Sequence, residues 1–80
     1  DMEGLSHSLI SRLVELGAVE FRARYGVPAD MTDPHMILEH VSVKRGCLKS
    51  GGEADTERGA NMIVRDFRSG KLGRITLETP

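Results

Sequence analysis

Eighty residues with one cysteine, no tryptophan and only Phe21, Tyr25 and Phe67 as aromatics specify one small domain with a modest core. The lone Cys47 rules out an internal disulfide framework and points to a reducing, cytoplasmic compartment, and no apolar run approaches the roughly 18 residues of a membrane span. A net charge of −1 conceals a division: residues 44–74 hold eight Lys or Arg against four acids, whereas residues 1–43 hold three against seven.

Leu5, Leu9, Leu13 and Leu16 recur at helical spacing, with Ile10 and Val14 widening the stripe and Ser8, Ser11, Arg12 and Glu15 opposite. This predicts an amphipathic helix that Gly17 interrupts or ends. Val19 to Tyr25 read as a second, shorter helix closed by Gly26, and residues 28–32 as a loop. Asp33-Pro34 is a strong helix start, because the carboxylate caps free N–H groups and proline has no N–H to leave unpaired. Ile37, Leu38 and Val41 then face inward, and Lys44-Arg45-Gly46 supplies a cationic end with a glycine exit.

Residues 46–54 form a glycine-rich connection, and Asp55 caps a last helix running to about Ser69 and stopping at Gly70. Ala60, Ile63, Val64 and Phe67 fall on one side of it, and Arg58, Asn61, Arg65 and Arg68 on another. Gly59 inside this helix costs about 1 kcal/mol relative to alanine. It either admits another helix closely or is simply tolerated. Arg74 to Glu78 alternates like a strand with no sheet to join, so it reads as an extended tail. The expected fold is all-α, a small bundle of four helices without internal repeats.

No catalytic constellation emerges. No phosphate-binding G-x-x-x-x-G-K-[ST] loop occurs: at Gly70-Lys71 the first glycine position holds Arg65, and Leu72 follows the lysine. His7, His35 and His40 do not have metal-ligand spacing, and Cys47 reads as a small, buried or half-buried hydrophobe. Asp33 and Asp55 are explained as helix starts, and Asp66 by pairing within its arginine-rich helix. No cofactor or metal site is therefore expected in these residues.

What stands out is the basic set Lys44, Arg45, Lys49, Arg58, Arg65, Arg68, Lys71 and Arg74. One reading makes them RNA-contacting residues, with Arg58, Arg65 and Arg68, and Lys71 and Arg74 beyond the helix end, lying along an RNA backbone as charges and hydrogen-bond donors; the other, favoured by composition alone, is a solvated helix face with local acidic partners. Lys44 and Arg45 have a second explanation as cations at a helix C-terminus. Lys49-Ser50-Gly51-Gly52 reads first as a flexible turn and second as a source of backbone N–H groups for phosphate.

The order and spacing of Lys44-Arg45-Gly46, Gly51-Gly52 with Asp55, and Arg65-Asp66-Phe67-Arg68-Ser69-Gly70-Lys71-Leu72-Gly73-Arg74 closely resemble the C-terminal end of the YlqF/RbgA family, the circularly permuted GTPases of large-subunit ribosome assembly. The likeness begins upstream with the helix leading to Arg24-Tyr25-Gly26-Val27 and continues through Asp33-Pro34, so it spans nearly the whole chain. Gly59 and Gly17-Ala18 depart from the family pattern, and both touch local helix stability.

The resemblance implies that residues 1–80 are a single C-terminal helical domain, similar to the ANTAR RNA-binding fold, of a larger GTPase. Its partners would be large-subunit rRNA or a 50S precursor, together with its own GTPase domain. GTP and magnesium would belong to that domain, whose motifs are absent here. The alternative is an intramolecular module in which the acidic half, or Ile75 and Leu77, packs on the GTPase domain without touching RNA.

Overall fold

In the computed structural model, which describes residues 1–72, the chain forms four helices: α1 (Met2–Glu15), α2 (Val19–Tyr25), α3 (Pro34–Lys44) and α4 (Thr56–Arg68). Aspartate starts three of them. Asp1 accepts from the Gly4 N–H at 2.5 Å, Asp33 from His35 at 2.9 Å and Asp55 from Arg58 at 3.2 Å, each satisfying one otherwise free donor of a first turn. All four helices exit through a glycine at positive φ (Gly17, Gly26, Gly46 and Gly70), a conformation that a Cβ disfavours. The architecture is all-α, as expected. The extended tail expected at Arg74–Glu78 lies outside the described residues.

Helices α1, α3 and α4 pack against one another, and short α2 closes the bundle with Phe21 and Tyr25. Ile10, Ile37, Leu38, Val41, Ala60 and Ile63 are wholly buried at the centre. The stripe on α1 is rotated from the sequence expectation. Leu5 and Leu16 are about half exposed, while Ser6 is fully buried beside Leu9, Ile10 and Leu13. At about 100° per residue, Leu5 and Leu16 lie some 80–100° from Ser6, on the flank of the buried face. Ser6 tolerates its position because its hydroxyl donates to the Glu3 carbonyl at 2.8 Å.

Gly59 admits a neighbour. A Cβ at this position would lie 3.1 Å from Ser42 Cβ and would overlap Ser42 Oγ, so α3 and α4 touch where side-chain volume is least. The Ser42 hydroxyl is itself satisfied, donating to the Leu38 carbonyl at 2.7 Å. The connection between these helices is a hydrogen-bonded hairpin. Leu48 bridges Ala54, the Lys49 N–H reaches the Glu53 carbonyl, and the Gly52 N–H reaches the Lys49 carbonyl, both at 2.8 Å.

Candidate nucleic-acid interface

The basic residues separate into groups with different surroundings. Arg58, Asn61 and Arg65 recur at i, i+3 and i+7 on α4 and, with Met62 and Cys47, line one shallow concavity. Neither arginine forms an ion pair among the described residues. Arg68, expected on the same stripe, instead borders an apolar groove lined by Leu5, Leu9, Val64 and Phe67. Lys49 is exposed at the hairpin turn, and Lys71 is exposed just beyond Gly70. Arg74 lies outside the described residues.

Arg45 and Lys44 pack at the end of α2. The Arg45 guanidinium donates to the Arg24 carbonyl at 2.8 Å and lies 5.1 Å from the centre of the Tyr25 ring. The stem of Lys44 runs beside Gly26, close enough that a Cβ there would meet Lys44 Cε at 3.3 Å. Both cations thus sit by the partly negative C-terminus of α2 as well as at the end of their own helix. Arg45 has a structural role that accounts for its presence.

Asp66 requires a correction. It is buried, and it pairs across the fold instead of within α4: Oδ2 accepts from the Tyr25 hydroxyl at 2.6 Å and from Arg24 Nε at 3.2 Å. Burial alone would raise its pKa. The Tyr25 hydrogen bond and then the Arg24 guanidinium outweigh that cost and hold the carboxyl below its ordinary range. Burial, followed by the bond to Asp66, pushes the Tyr25 phenol well above its usual value. The carboxylate therefore stays ionised and the phenol protonated, which keeps this bond in place through the neutral range.

The sequence-based set misses Arg24, whose side chain joins this cluster and also lies 5.8 Å from the Tyr25 ring centre. The signal was its place in Arg24-Tyr25-Gly26-Val27, outside the basic stretch of residues 44–74.

The hairpin separates two signs of charge. Cys47 lies on the side of Arg58 and Arg65, whereas Glu53 and Ala54 line a different concavity with Glu39, His40 and Val43. The Lys49 and Gly52 N–H groups are already bonded within the hairpin, so neither is available to cradle phosphate. The histidines do not converge as a set: His7 meets His35 edge-on with ring centres 5.7 Å apart, whereas His40 Nε2 hydrogen-bonds the Gly26 carbonyl at 2.8 Å. Among the described residues no three His, Cys, Asp or Glu gather as metal ligands, and no helix is long and apolar enough to cross a membrane.

Over 54 residues, 68% of this chain, the sequence is 35% identical to ribosome biogenesis GTPase A of Bacillus cereus. It is 34% identical over 74% of the chain to the protein of that name in Bacillus pumilus, and 30% identical over 86% of it to that of Thermotoga maritima. The chain belongs to the ribosome biogenesis GTPase A family. It spans only 17%, 21% and 25% of the length of these relatives, so it corresponds to a fraction of a family member. No family model and no solved structure matches it. The fold it contributes is a four-helix unit with Arg58 and Arg65 on one side of α4.

Proposed function

We propose that this chain is the C-terminal rRNA-docking domain of a cytoplasmic GTPase acting in late assembly of the large ribosomal subunit. The observation that supports the reading is the pair Arg58 and Arg65, free of ion pairs among the described residues and bordering one concavity on a helix anchored by buried Asp66. Such guanidinium groups are suited to phosphate oxygens, as delocalised cations and as directed hydrogen-bond donors. Tyr25 is buried beneath Arg24 and Arg45, so it offers no ring for base stacking. Recognition is then electrostatic and governed by RNA shape, with little base readout. GTP and magnesium belong, on this reading, to a GTPase domain outside these residues, which the helical domain positions on the maturing particle.

The test is a salt-titrated binding assay of the folded chain against large-subunit rRNA and a size-matched unrelated structured RNA. Preferential binding to the large-subunit RNA that weakens steeply with salt is the expected result. Absence of binding to either RNA would sink the reading.

A second reading draws on the groove between α1 and α4, where Leu5 is half exposed beside Leu9, Val64 and Phe67. This apolar surface suits packing against the GTPase domain. Ile75 and Leu77, the tail residues expected to share that role, lie outside the described residues. Mixing the chain with the isolated GTPase domain and recording chemical shifts separates the two: changes confined to Leu5, Leu9 and Phe67 support the structural module.

A further inference from the structure

Arg58 and Arg65 stand seven positions apart on α4, about 10 Å along the axis but only about 20° apart around it. Asn61 lies between them on the same side, and all three border the same concavity, whose remaining lining is Met62 and Cys47. No carboxylate lines this opening, whereas Glu39 and Glu53 line the concavity on the other side of the hairpin. The Asn61 amide is held by donating one hydrogen to the Glu57 carbonyl at 2.9 Å, which leaves its second amide hydrogen for a ligand. Two guanidinium groups flanking an amide, with an apolar floor and no competing anion, form a receptor for one compact anion.

We propose that Arg58, Asn61 and Arg65 together seat a single phosphodiester group of the RNA. The two arginines approach it from opposite ends, and the amide contacts it between them. This rests on the RNA-docking reading and goes further, because it assigns two arginines to one phosphate and excludes Arg68 from the seat. Arg68 borders the α1–α4 groove and acts independently.

The test compares the chain with Arg58→Gln, Arg65→Gln and the double variant, titrating binding to large-subunit rRNA against salt. Each duplex phosphate neutralised contributes about 0.9 to the slope of log K against log salt. One shared seat predicts that the double substitution lowers the slope by about 0.9, with affinity losses that are strongly non-additive. Independent phosphates predict a fall of about 1.8 and additive losses, and that outcome overturns the seat while leaving RNA docking intact.

Arg65→Gln combined with Arg68→Gln provides the internal comparison and is expected to be additive. Asn61→Asp, which places a carboxylate in the seat, is expected to weaken binding more than Asn61→Ala. Equal effects of those two substitutions would also overturn the proposal. If the folded parent chain binds no RNA at any salt concentration, the docking reading itself fails and the seat falls with it.

Discussion

The Tyr25 hydroxyl donates to Asp66 Oδ2 at 2.6 Å, joining the last residue of α2 to the third-last residue of α4 across 41 positions of sequence. The same oxygen receives Arg24 Nε, so one buried carboxylate holds the last two residues of α2. Tyr25→Phe keeps the ring and removes only the donor. It is expected to destabilise the fold by about 1–3 kcal/mol, the cost of leaving a buried acceptor short of a partner. Urea denaturation measures this, and an unchanged midpoint would show that the bond contributes nothing net.

Asp66 also sets an acid-side dependence. Its folded pKa lies below the unfolded value of about 3.9, so between the two values the unfolded chain binds more protons and stability rises with pH. The contribution is complete above the unfolded pKa and disappears as pH falls through the folded one. Asp66→Asn should therefore lower stability at neutral pH and flatten the acid limb of the stability profile. A limb as steep as the parent's would assign acid sensitivity to other carboxylates.

The contact between Gly59 and Ser42 makes a prediction opposite to helix propensity. On an open helix, Gly59→Ala would stabilise by about 1 kcal/mol. Here the added methyl meets Ser42, and the expected result is a net loss of about 1–3 kcal/mol from overpacking. Removing the overlapped hydroxyl with Ser42→Ala should recover part of that loss in the double variant. A double variant no more stable than Gly59→Ala alone would mean that the backbone, not the hydroxyl, sets the limit.

Arg45 and Arg58 are both cationic and exposed, yet they should behave differently. Arg45→Ala removes the bond to the Arg24 carbonyl and the contact over Tyr25, so it should lower the melting temperature. Arg58→Gln should leave stability within about 0.5 kcal/mol, as expected of a surface substitution without structural partners. Thermal melts of the two variants, paired with RNA binding, distinguish support of the fold from contact with RNA.

Local chemistry made the helices legible. Asp33-Pro34, Asp55, Gly17, Gly26 and Gly70 act through the nearest turn, so their positions alone located the starts and stops. The inward faces of α3 and α4 were equally readable, because Ile37, Leu38, Val41, Ile63 and Val64 follow the helical period without ambiguity.

The exact orientation of α1 was not legible. Its leucines outnumber the places available in the core, and only packing decides that Ser6 enters while Leu5 stays at the rim. Asp66 was misread for a related reason: on a helix rich in arginine, neighbours in sequence suggest partners, but its actual donors come from α2. The grouping of the basic residues depended on the same long-range geometry. The helical period places Arg68 near Arg65, and packing of α1 against α4 gives it an apolar border instead.

The hairpin between α3 and α4 also determines where the chain can accept added length. Its closing bridge is Leu48 with Ala54, and its tip residues Ser50 and Gly51 are exposed. Extra residues at the tip would enlarge a loop already closed at its base, for which doubling the length costs only about 0.6 kcal/mol. The same insertion at Gly46-Cys47 would break the exit of α3 and unseat a buried side chain. A peptide tag or dye-bearing segment grafted at Ser50-Gly51 would therefore leave the helices in place, giving a handle for following this chain in binding experiments.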